Sequence, residues 1–169
     1  MYTLTDELIE EARNYAALSK RFTSNRHDFH DGSLSQKENK MLSGKLGEGI
    51  FKMFLDENEI VYERDKTSHE DADDFDFRFP NSRTLDVKTR TKDFHIRTLE
   101  MVEQFNSKPK DIFVSVRLNN DYRTGSILGW FSSSDMLRIN RIENLGYLDN
   151  YVIFDNELRP IETIIDYIT

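Results

Sequence analysis

Apolar and polar residues alternate most regularly between Phe75 and Thr89. Phe75, Phe77, Phe79, Leu85 and Val87 take odd positions, while Asp76, Asp86 and Lys88 take even ones. Pro80, Asn81 and Ser82 form a turn cluster between the two runs. The pattern predicts a β-hairpin. Side chains alternate between faces along a strand, and cross-strand partners share a side. With an even-to-even register, the five apolar residues share one face and Asp76, Asp86 and Lys88 share the other.

Elsewhere the period is helical or the runs are short. Leu8, Ala12, Tyr15, Ser19 and Phe22 form one stripe of a first helix, about residues 6–21. Ser35-Gln36-Lys37-Glu38 has capping-box spacing and predicts a second helix to about Glu57. Leu42, Leu46, Ile50, Met53 and Phe54 cover one side of it. Gly44, Gly47, Phe51 and Leu55 widen the apolar arc past half the circle, so this helix is mostly buried. Gly44 and Gly47 suit a close approach to a sheet, and Glu48 lies on the border of the arc. A first strand is expected at Ile60 to Arg64. A third helix, capped by Asp93, is expected at Phe94 to Phe105 with Leu99 and Val102 inward. Strands are expected at Asp111 to Leu118 and Ser126 to Phe131, and the latter carries Trp130, the only Trp. A short helix at Asp135 to Asn140, a strand at Tyr151 to Phe154 and a terminal helix after Pro160 complete the order. No repeat or linker divides the chain. The expectation is a single α/β domain over 1–169 with a central mixed sheet flanked by helices.

Composition sharpens this picture in two ways. The 169 residues suffice for a core, and twelve Phe with seven Tyr supply large side chains for it. There is no cysteine, which excludes disulfides and thiol chemistry and makes a reducing, cytoplasmic setting the default. No apolar run approaches the ~18 residues of a membrane span. The acidic start of the chain lacks the features of a signal peptide. The net charge of −8 argues against a general nucleic-acid coat protein. Locally the sign reverses: Arg83, Arg90, Lys92 and Arg97 cluster around the hairpin's second arm and are candidate nucleic-acid contacts.

Two aspartates facing one patch attract a hard divalent cation. Mg²⁺, with Mn²⁺ as a substitute, takes carboxylate and water oxygens, and Val87 can add its main-chain carbonyl. Lys88 beside them can orient a water or stabilise a charged transition state. Two other acidic or metal-like patterns are weaker. The window from Asp71 has Asp76 at position six and Ser82 at position twelve, where an EF-hand loop needs Gly and Glu. His27 and His30 have no evident third ligand.

Gly44-Lys45-Leu46-Gly47-Glu48, then Asp76, then Asp86-Val87-Lys88 resembles the PD-(D/E)XK nuclease superfamily, the restriction-endonuclease-like fold. The motifs span about Ser43 to Thr91, and the looser likeness extends the core to about 35–131. The first helix and 132–169 match nothing specific and stand as additions. The resemblance implies an Mg²⁺-dependent endonuclease acting on DNA, of restriction, phage, recombination or repair type. It implies Asp76 and Asp86 as metal ligands, Lys88 as catalytic lysine and Glu48 as a direct or water-mediated ligand. Phe75 stands where the family carries Pro, and Asp74 is the alternative to Asp76. A homodimer would supply two sites for cutting a duplex. Two other readings compete: an inactive binding module of the same fold, and an acidic inhibitor that mimics DNA.

Overall fold

The computed structural model describes residues 1–19, 34–65 and 74–169. His27, His30 and the start of the EF-hand-like window at Asp71 lie outside the described residues. The architecture is mixed α/β. Strands β1 (Tyr2–Thr3), β2 (Glu63–Arg64), β3 (Phe77–Arg78), β4 (Thr84–Arg90), β6 (Ile112–Leu118) and β7 (Thr124–Ser132) make a six-stranded sheet in the order β1-β7-β6-β4-β3-β2. Among the described residues only the β4–β6 pair of this sheet is parallel. A second sheet, β5 (Arg97–Met101), β9 (Leu148–Phe154) and β8 (Ile142–Leu145), is antiparallel throughout.

The hairpin has the parity its alternation predicts: Phe77 pairs with Leu85 and Arg78 with Thr84. Its turn is closed by Ser82 N–H donating to Phe79 O (2.8 Å), with Ser82 at φ 68. The first arm is short. It leaves the ladder before Phe77, so the later part of β4 has no β3 partner.

Helix α2 (Leu34–Glu57) covers one face of the large sheet, and α1 (Asp6–Ser19) packs on α2. The odd residues Leu85 and Val87 of β4 join Ile112, Val114 and Val116 of β6 in a core with Leu46, Ile50, Phe51 and Phe54 of α2. Helix α2 starts one residue before Ser35, so Ser35 lies inside it rather than capping it. It ends with Glu59 at φ 55, and Ile60 N–H reaches back to Leu55 O (3.0 Å). That left-handed residue closes the helix as a glycine commonly does. Among the described residues nothing lies within 4 Å of a Cβ added at Gly44, whereas Gly47 packs directly on Thr89 of β4. Only the second glycine makes the close approach.

The second sheet covers the other face with α3 (Val102–Ser107) and α4 (Ser133–Ile139). Phe113 and Phe131 stack at 5.1 Å, and Phe105, Met136, Tyr151 and Ile153 close around them. Burying each of those two rings stabilises the fold by about 2 kcal/mol. Here the expected helix at Phe94 to Phe105 is replaced. Arg97–Met101 is strand β5, the helix is confined to Val102–Ser107, and Asp93 caps nothing in it. The first strand is also shorter than expected, Glu63–Arg64, and β8 had no signal in the pattern. After Pro160 the chain makes a 3-10 turn (Ile161–Ile164) before the single turn of α5 (Ile165–Ile168).

Helix α4 is locked by a capping box between Ser132 and Asp135. Asp135 also accepts two 2.8 Å hydrogen bonds from the Arg159 guanidinium. Burial opposes its ionisation, but Arg159 and Ser132 prevail and hold its pKa at about 2. A carboxylate depressed from its ordinary value of 3.8 stabilises the fold above about pH 4, and loses that contribution as pH falls through 2. After allowance for the solvent that reaches Arg159, the gain is ~1–2 kcal/mol. Asp135→Asn is expected to be less stable than wild type by that amount in urea at pH 7. The gap should shrink as both proteins are moved toward pH 2. A gap that is constant from pH 7 to 2 contradicts the assignment.

Candidate functional site

The site forms where the short first arm of the hairpin departs from β4. Because β3 begins only at Phe77, Val87 N–H has no ladder partner there; it donates instead to Asp76 Oδ2 at 2.7 Å. Asp76 is thereby pinned to the open edge of β4. Asp86 and Lys88 project from β4 on the side opposite Leu85 and Val87, toward the second sheet. Glu48 comes from α2 on the other side and is buried. The three carboxylates therefore lie around one strand edge rather than on one flat face.

Their charges are felt mutually. Burial raises the Asp76 pKa well above the ordinary carboxylate range, and the negative charges of Glu48 and Asp86 push it the same way. Lys45 opposes that rise and binds Glu48 at 2.9 Å. Arg64 reaches Glu48 at 3.5 Å from β2 and also pairs with Glu11 at 2.7 Å. Asp74, the alternative to Asp76, is exposed and paired with Lys108 at 2.8 Å. The geometry therefore favours Asp76.

Lys88 Nζ lies 3.2 Å from Asp86 Oδ2 and in contact with Glu100 Oε2. Burial works against its ammonium, but Asp86 and Glu100 outweigh it and raise its pKa. Glu100 is 2% exposed on β5, and burial raises its own pKa against the pull of Lys88 and the more distant Lys110. The pattern along the chain did not single out Glu100. Its only signal was the alternation Thr98, Glu100 against Leu99, Met101, which marks a strand with its polar side turned in.

The expected nucleic-acid contacts are mostly engaged within the protein. Arg90 pairs with Asp155 at 2.5 Å and donates to Arg97 O. Arg97 pairs with Glu143 at 2.8 Å. Arg83 lies over the Tyr167 ring and donates to Tyr167 O. Lys92 is exposed, in a loop that also exposes Phe94 and Ile96.

Among the described residues, no three Asp, Glu or His side chains stand close enough to enclose a metal by themselves. The donor set still suits a hard divalent cation, which commonly takes one or two carboxylates and fills its remaining positions with water. Burial and two further carboxylates disfavour the ionised form of Asp76, and a bound cation would offset that cost. Asp86 and the Val87 carbonyl add oxygen donors of the right kind. No family model matches the chain, and no curated protein matches it. No described helix is long and apolar enough to cross a membrane.

Proposed function

We propose that this protein is a divalent-metal-dependent endonuclease that hydrolyses phosphodiester bonds in DNA, with a site of the PD-(D/E)XK kind. One observation carries the reading: Glu48, Asp76, Asp86 and Lys88, from a helix, a hairpin arm and a strand, converge on one strand edge. Bound among the carboxylates, Mg²⁺ or Mn²⁺ supplies a more acidic water and positive charge against the phosphoryl oxygens. Asp76 and Asp86 would hold it, with the Val87 carbonyl, and Glu48 would complete the set directly or through water. Lys88 keeps an ammonium beside the reacting phosphate, where it orients the attacking water and offsets developing negative charge.

The test is incubation with Mg²⁺ or Mn²⁺ and linear, supercoiled, branched and single-stranded DNA. The expected result is cleavage of at least one form that EDTA stops and Lys88→Ala lacks. No cleavage of any form, or cleavage indifferent to EDTA, sinks the proposal.

A second reading, a nuclease-fold module that binds without cutting, is favoured by the pairing of Glu48 with Lys45 and Arg64. Those cations already satisfy the carboxylate. Titration calorimetry separates the two readings: a cutting site takes up Mg²⁺ or Mn²⁺, and the module does not.

A further inference from the structure

Lys88 is gripped from two directions, and the second grip comes from outside the hairpin. Its ammonium touches Asp86 two residues back on its own strand and Glu100 on β5 of the second sheet. Glu100 is almost completely buried, and its Oε1 has no hydrogen-bond partner among the described residues. A carboxylate in such a place is costly unless it is paired, and an apolar side chain would fill the position more cheaply. Leu99 and Met101, its neighbours on β5, point the other way. The strand is also fixed where it carries Glu100. Two residues earlier on the same side, Thr98 Oγ1 and Ser115 Oγ share a buried hydrogen bond of 2.6 Å. Ser115 is the β6 residue in register with Lys88. Every residue of β5 is paired with β9, which fixes the strand along that edge.

We propose that Glu100 is a positioning residue for Lys88: the second sheet delivers it to hold the lysine ammonium over Asp86 at the strand edge. Where Lys88 points is then set by two sheets rather than by its own flexible stem. The functional part of this assignment rests on the nuclease reading; the structural part does not. Glu100 does not bind the metal in this scheme, and its loss leaves metal affinity alone.

The experiment has two arms, both on the full chain. In the first, the ammonium of Lys88 is observed by ¹⁵Nζ–¹H NMR without metal or substrate, with Lys88→Met identifying the signal. A protected Lys88 signal is expected in wild type. It should be lost or shifted in Glu100→Gln, which keeps the shape and removes the charge. An unprotected wild-type signal, or one that Glu100→Gln leaves in place, overturns the clamp. In the second arm, single-turnover cleavage by Glu100→Gln should fall about 10–100-fold. KM and the Mg²⁺ Kd from calorimetry should stay within about twofold, and Glu100→Ala should fall at least as far. A wild-type cleavage rate in Glu100→Gln overturns the functional role. A Kd weakened in step with the rate overturns it too, since Glu100 would then be a ligand. If wild type does not cleave at all while the first arm succeeds, the nuclease reading fails and the clamp stands.

Discussion

Lys88→Ala and Asp86→Ala are each expected to lower metal-dependent DNA cleavage by about 10³-fold while the protein stays folded. The two losses have different causes, and the difference is measurable. Asp86 is a proposed ligand, so its removal should weaken Mg²⁺ binding in calorimetry by tenfold or more. Lys88 is not, and its removal should leave that affinity nearly unchanged or slightly improved, because a neighbouring positive charge is gone. The fold itself needs a control in the lysine variant. Removing the ammonium leaves Glu100 buried without its partner. A stranded charge costs roughly 3–5 kcal/mol. Glu100, whose pKa burial already raises, escapes most of that by taking up a proton. Lys88→Met, which refills the space, should match Lys88→Ala in activity and exceed it in thermal stability. Wild-type cleavage by either lysine variant, with circular dichroism unchanged, removes Lys88 from the mechanism.

The parts of the fold legible in the sequence are those where polarity follows burial. The hairpin alternates apolar and polar residues, and its parity places Leu85 and Val87 against α2 and Asp86 and Lys88 away from it. Strand β6 begins with the apolar run Ile112-Phe113-Val114 because both its faces are covered there, by α2 on one side and the second sheet on the other. Strand β5 breaks the rule. Its inward residues are Thr98 and Glu100 because what they meet is polar: Ser115 and Lys88 on the face of the large sheet. The apolar residues Leu99, Val102 and Phe105 were left to suggest a helical stripe, and the stripe pointed to the wrong element. A strand turned polar side in makes sense only once its partner is known, and that partner is distant in the chain. The partners of the basic cluster were hidden for a related reason. Arg83, Arg90 and Arg97 are close in sequence to the proposed site, but their acceptors, Tyr167, Asp155 and Glu143, lie far along the chain. Proximity to Lys88 in sequence did not reveal that these cations already hold the C-terminal part in place.

Gly47→Ala is expected to destabilise the protein by about 2 kcal/mol, although the substitution improves helix propensity by about 1 kcal/mol. The added Cβ would lie 1.9 Å from Thr89 Oγ1, 2.8 Å from its Cγ2 and 2.9 Å from its Cβ. Rotating Thr89 does not solve this, since a β-branched side chain brings one heavy atom toward the helix as it takes the other away. Helix α2 must instead lift from β4. That contact also sets the depth of Glu48, the next residue, beside Asp76. The variant should therefore lose cleavage activity beyond what its lowered stability explains, at a temperature where it remains folded. Thr89→Ala removes the two closest atoms and leaves the third. In the double variant both stability and rate should be partly restored, with a coupling of about 1 kcal/mol or more in a double-mutant cycle from urea unfolding. Additive effects at the two positions would mean that α2 does not rest on β4 through Gly47 and Thr89. The seating of Glu48 would then need another cause. Restored stability without restored cleavage would separate the two roles of the contact: the helix would be packed again, but the carboxylate would still be misplaced.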